Sequence, residues 1–97
     1  MAQVVYSAEA LDDLDRLGEF LLEQAPETAP EMFSRVTGAI GILADHPLIG
    51  RRVEGELREL VILHGNSGYL ALYRFEPVRT VVRLLRIRHQ REAGYRD

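Results

Sequence analysis

A change of hydrophobic period part-way along the chain constrains its fold more than any single motif. Leu11, Leu14, Leu17 and Leu21 recur at helical spacing, with Asp12, Asp13, Arg16, Glu19 and Glu23 between them. Ser7 is a suitable N-cap and Ala25-Pro26 a stop, which predicts an amphipathic helix over residues 8–24. Asp12 and Arg16 stand i,i+4 with the acid on the favourable side. Thr28-Ala29-Pro30-Glu31 reads as a capping box that opens a second helix, whose apolar stripe is Ala29, Met32/Phe33, Val36, Ile40 and Leu43. Gly38 and Gly41 each cost about 1 kcal/mol relative to alanine inside a helix, so their presence reads as close packing on the first helix. Asp45-His46-Pro47 ends the second helix, and Gly50 marks a turn beyond it. The few residues between the helices make them an antiparallel hairpin.

From residue 57 onward the pattern is that of strands. Residues 57–64, 69–75 and 80–89 are the expected strands, separated by the turns Gly65-Asn66-Ser67-Gly68 and Glu76-Pro77-Val78-Arg79. Val4-Val5-Tyr6 adds a short one at the start. The expected fold is therefore α+β in the order β-α-α-β-β-β: an antiparallel twisted sheet with the N-terminal helix hairpin packed on one face.

At 97 residues the chain reads as a single domain, 1–97. Its 46% hydrophobic and 28% charged residues fit a folded globule. Apolar runs stay as short as Leu60-Val61-Ile62-Leu63, so no membrane span is expected. Met1-Ala2-Gln3 lacks the basic and apolar regions of a signal peptide, which points to the cytoplasm. There is no cysteine, hence no disulfide and no thiolate site, and no lysine to act as an amine base. Residues 1–50 carry nine acids against two arginines, a net −7, while residues 51–97 carry ten arginines against six acids, a net +4. The second half therefore suits an acidic partner, unless its charge serves only to offset the helices.

Strict alternation puts Tyr69, Ala71, Tyr73 and Phe75 on one face of their strand and Leu70, Leu72 and Arg74 on the other. In the last strand it groups Val81, Arg83, Leu85, Ile87 and His89 against Thr80, Val82, Leu84, Arg86 and Arg88. Both faces of that strand start apolar and turn basic, which locates a candidate site near Arg74, Arg86, Arg88 and His89. Arg74 either binds an anionic group of a partner or pairs with Glu59 or Glu76, and Arg58 is alike. Arg86 and Arg88 suit an acidic partner or simply protect a sheet edge. His89 titrates in a useful range for acid–base work, although a histidine at a strand end is usually just exposed. Tyr95 either stacks on a base or packs back onto the sheet. His46 and His64 have no ligand-like spacing, so neither metal nor other cofactor is expected. No Ser-His-Asp set, phosphate loop or paired carboxylate stands out.

Four ordered segments carry a resemblance: Ala44-Asp45-His46-Pro47-Leu48-Ile49-Gly50-Arg51-Arg52, then Leu57-Arg58-Glu59-Leu60, then Gly68-Tyr69-Leu70-Ala71-Leu72-Tyr73-Arg74, then Ile87-Arg88-His89-Gln90-Arg91-Glu92. Together they resemble the RelE/ParE superfamily of toxins from type II toxin–antitoxin systems, closest to the ParE (plasmid-stabilisation) branch. The ParE branch implies a poison of DNA gyrase that traps cleaved DNA. The RelE branch implies a ribosome-dependent mRNA endoribonuclease, and a third alternative is a degenerate domain that binds its antitoxin without toxicity. In the ribonuclease case Arg58 and Arg74 fall where phosphate-binding arginines are kept and His89 near the terminal acid–base position, with Tyr95, six residues on, as the further catalytic candidate. Glu54 or Glu56 would stand in for a base. The absence of lysine and the Gln90 that follows His89 depart from that set and favour the gyrase reading. The resemblance further implies a cognate ParD-like antitoxin as partner, with operator DNA reached only through it. Leu70, Leu72 and Leu84, interleaved with Arg74, Arg86 and Arg88 and flanked by Arg51, Arg58 and His89, are the expected surface for antitoxin or target.

Overall fold

The computed structural model describes residues 1–64 and 67–90, the side chains of 63, 64 and 67 aside. A short strand β1 (Gln3–Tyr6) leads into helix α1 (Ala8–Gln24) and helix α2 (Ala29–Gly41), which closes on a single 3-10 turn, Ile42–Ala44. Strands β2 (Arg51–Glu54), β3 (Leu57–His64), β4 (Ser67–Glu76) and β5 (Val81–His89) follow. The sheet order is β1-β5-β4-β3-β2, and all neighbours are antiparallel except β1 and β5, which run parallel. The expected α+β fold is the one observed, with one more strand. β2 escaped the pattern count because its four residues are all exposed and mostly charged, and pairing with β3 alone makes it a strand. The turn residues Gly65 and Asn66, Tyr95 and the rest of residues 91–97 lie outside the described residues. Among the described residues no helix is long and apolar enough to cross a membrane.

Local chemistry fixes the helix boundaries. Ser7 caps α1 as expected: its Oγ accepts from Ala10 N at 3.0 Å and donates to Leu85 O at 2.9 Å, which ties the helix start to β5. The capping box at α2 does not form. Thr28 has helical backbone angles and makes no side-chain cap, so Pro30 in the first turn fixes the start instead. The glycine reading for α2 is also corrected: an added Cβ at Gly38 or Gly41 would meet nothing, whereas one on Gly18 of α1 would touch the Phe33 ring at 3.6 Å. The close approach between the helices is therefore made from α1.

The core lies between the hairpin and one sheet face. Ala10 and Leu14 of α1 and Val36 and Ile40 of α2, with Leu43, meet Ile62, Tyr69, Ala71, Tyr73, Val82, Leu84 and Ile87. Strict alternation in β5 would have sent Arg86 and Arg88 inward after Val82 and Leu84. A bulge prevents it: Tyr73 pairs with Leu84 and Leu72 with Arg86, leaving Leu85 as the extra residue. Ile87 thereby takes the next core position, while Arg86 and Arg88 pair with Leu72 and Leu70. Leu84, ahead of the bulge, is fully buried with Val82, so the expectation that it offers apolar surface to a partner beside Arg86 and Arg88 is corrected. Leu70 is buried as well, outside the core cluster, while Leu72 is half-buried.

The turn between β4 and β5 ends on Thr80, a non-glycine residue with φ of 54°. A β-branched side chain is strained there, and Thr80 is exposed, so its side chain stabilises little in return. Thr80→Gly is expected to raise stability by about 0.5–1 kcal/mol, relief of strain outweighing the added freedom of the unfolded chain. A urea melt with an unchanged or lower midpoint would refute it.

Candidate functional site

A groove of about 570 Å³ lies where α1, the α1–α2 turn and the start of α2 face the ends of β4 and β5. Leu17, Phe20, Leu21, Met32, Tyr69 and Ile87 line it with apolar surface, and Arg16, Arg88 and His89 stand with Gln24 and Thr28 among its polar residues. Phe20, one of these lining residues, remains 52% exposed. Tyr69 and His89 face each other across paired strands and meet edge to face, ring centroids 5.2 Å apart. Burial raises the Tyr69 phenol above its usual pKa.

Asp13 of α1, only 4% exposed, organises one wall of this groove. β1 pairs with β5 as far as Leu84, and beyond that point the Asp13 carboxylate takes over the strand edge. Its Oδ2 accepts from Ile87 N at 2.8 Å and Arg86 Nε at 2.9 Å, and its Oδ1 accepts from Arg86 Nη2 and from Arg16. A carboxylate with two guanidiniums and a backbone N–H is well satisfied in a buried place. Arg86, expected as a free cation for a partner, is thus committed to the fold. The helical pair is Asp13–Arg16 at i,i+3, in place of the expected Asp12–Arg16.

Arg51, Arg58, Arg74 and Arg83 bond elsewhere on the sheet. Arg74 Nη2 and Arg83 Nε donate to Glu76 Oε2 at 3.0 and 2.7 Å, and these bonds, Arg83's first, hold Glu76 below the usual carboxylate pKa. Of the two acids anticipated for Arg74, Glu76 is the partner. Glu59 is instead held by Arg51 at 2.6 Å. Arg58 Nη1 donates to the carbonyls of Leu48 and Gly50 at 3.1 and 2.8 Å. Register separates the candidates further. Arg58 pairs with Tyr73, a core residue, whereas Arg74 is the next residue along and faces the other way. His89 pairs with Tyr69, five residues before Arg74 and so about 17 Å along the strand.

Comparison with known proteins places the molecule. The family model for the ParE toxin of type II toxin–antitoxin systems, parDE, matches residues 4–94. The chain belongs to the ParE toxin family. It is 35% identical over 92 residues to Toxin RelE3 of Caulobacter vibrioides, covering 95% of this chain and 98% of that one. Its fold is similar to a chain of the chromosomal ParDE system from P. aeruginosa, with a TM-score of 0.74 and 20% identity over 92% of this chain and 96% of that one. It is also similar to a chain of the intact E. coli RelBE toxin–antitoxin complex, with a TM-score of 0.61 and 17% identity over 90% and 94% of the two chains. The molecule is thus a type II toxin of the RelE/ParE superfamily.

In this ParE-family chain the structure brings Arg88 and His89 to the groove and Arg86 to its Asp13 wall. Arg51, Arg58 and Arg74 stand elsewhere. Asp13, Arg16 and Phe20 went unrecognised as site residues. One signal was present for Asp13: it stands three residues after Ala10 and four before Leu17, so it is an acid on the apolar face of the helix. Such an acid calls for a buried cation, and only the tertiary fold shows it to be Arg86.

Proposed function

We propose that this toxin arrests growth by acting on DNA gyrase and trapping cleaved DNA, and that a ParD-like antitoxin restrains it by laying an apolar, acidic segment into the α1–α2–β5 groove. The dispersal of the ribonuclease-type residues carries the gyrase reading. Arg58 and Arg74 belong to opposite faces, and His89 lies about 17 Å along the sheet from Arg74. Cleavage by 2′-OH attack needs a base, cations and an acid around one phosphate, each within hydrogen-bond reach. Arg58 and Arg74, moreover, are already engaged with carbonyls and with Glu76. The groove supports the antitoxin reading, being an apolar trough with Arg16 and Arg88 among its lining residues.

Relatives that carry RelE names favour the alternative, mRNA cleavage on the ribosome. A supercoiling assay on gyrase with purified, antitoxin-free chain separates the two. Linear DNA that accumulates with toxin dose is the expected result. Intact DNA, with mRNA cut in a ribosome-containing translation assay, would overturn the proposal and make His89 and Arg88 the first positions to mutate.

A further inference from the structure

The loop that leads into β2 is held more firmly than a surface turn requires. Ile49 N donates to His46 O at 3.2 Å, and Gly50 N donates to the hydroxyl of Tyr73, a fully buried residue, at 2.8 Å. Arg58 reaches over from β3 to bond the carbonyls of Leu48 and Gly50. Yet the side chains that this backbone presents, Leu48 and Ile49, are each 59% exposed. Val78, by contrast, is 98% exposed on a turn closed by the backbone bond from Thr80 N to Pro77 O. Fixing the backbone beneath two large apolar side chains left in water adds little to folding, since they bury little surface while the loop loses backbone freedom. For binding it is favourable, because the ordering cost is met before the partner arrives.

The surroundings specify the partner. Arg51 and Arg52 follow directly and are exposed; Arg51 is paired with Glu59, whereas Arg52 and Arg58 bond to carbonyls, which leaves their positive charge standing. The feature is an apolar knob with a guanidinium collar. A knob enters a preformed pocket on a folded protein, whereas a segment that folds on binding needs a groove to lie in. The knob is also remote from the groove: Arg58 pairs with Tyr73, four residues and about 13 Å along β4 from Tyr69. An antitoxin seated in the groove and a target on the knob would therefore occupy different ends of the sheet.

We propose that Leu48 and Ile49, flanked by Arg51 and Arg52, form the surface with which the toxin grips its protein target, entering an apolar pocket ringed by carboxylates. The inference rests on the reading above that the target is a protein. The test is the double variant Leu48→Asp/Ile49→Asp, with Arg52→Glu as a second, milder change, since among the described residues Arg52 bonds just the Gly55 carbonyl. Each is induced in cells without antitoxin, and each is titrated with the purified antitoxin and melted thermally. The expected result is a loss of growth inhibition equivalent to about thirtyfold weaker target binding for the double variant, with antitoxin affinity and melting unchanged. Should the double aspartate fail to fold, Leu48→Ala/Ile49→Ala replaces it with the same expectation. Full toxicity in the folded variants would overturn the inference, as would a parallel loss of antitoxin affinity, which would assign the knob to the antitoxin. If the wild-type chain arrests growth without touching gyrase while the knob variants do not arrest it, the gyrase reading fails and the knob stands.

Discussion

Replacing Asp13 by alanine is expected to lower stability by about 3–5 kcal/mol, the usual cost of removing one side of a buried ion pair. The magnitude follows from what is left behind. Arg86 would keep its position on β5 without its acid, and the Ile87 N–H would lose its acceptor at a strand edge that β1 does not reach. Arg16 contributes less than Arg86, because its side chain is 43% exposed against 19% for Arg86, so water screens its bond to Asp13 more. Asp13→Asn separates charge from shape: the amide oxygen still accepts from Ile87 N but carries no charge for two guanidiniums, so a smaller loss is expected. Urea melts are the measurement, with the midpoint falling and the slope unchanged. A loss below about 1 kcal/mol for the alanine variant would mean that Asp13 merely fills space.

Helix periods and turn residues announced the α+β fold. Leu14, Leu21, Val36 and Ile40 are buried where the 3.6-residue stripes put them, and the Ser7 cap forms as its position suggests. The failures have specific physical causes. In β5 the single extra residue at Leu85 reverses the face of everything after it, and no local signal in Leu84-Leu85-Arg86 distinguishes a bulge from regular pleating. That is why Leu84 was counted as surface. The candidate site was legible only in part. Arg88 and His89 reach the groove as the basic end of β5 implied, but its other half comes from α1 and α2. Which helix face meets which strand is settled by tertiary packing, beyond the reach of spacing. The arginines posed a different problem, since free and engaged guanidiniums look alike in a sequence. Glu76, Glu59, Asp13 and two backbone carbonyls turn out to take six of them.

Gly50→Ala is expected to be the other costly change, at about 3 kcal/mol, and it shows why glycine stands in the His46-Pro47-Leu48-Ile49-Gly50-Arg51 motif. A Cβ at residue 50 would lie 2.6 Å from Tyr73 Cε1, 2.7 Å from its hydroxyl oxygen and 3.0 Å from Glu59 O. Tyr73 is fully buried and Glu59 O is backbone, so neither can give way cheaply. If the loop retreats instead, the bond from Gly50 N to Tyr73 is lost, and the phenol stays buried without its donor. Tyr73→Phe alone should cost about 1–2 kcal/mol for that hydrogen bond. In the double variant the clash with the hydroxyl disappears while that with the ring carbon remains. The combined loss should therefore be smaller than the sum of the two, and a double-mutant cycle on urea midpoints reads the difference. Strict additivity would mean that the two residues do not touch in solution. The same displacement would move Leu48 and Ile49, which directly precede Gly50 in the segment that Arg58 holds through the Leu48 and Gly50 carbonyls. The alanine variant should accordingly lose toxicity at temperatures where it is still folded.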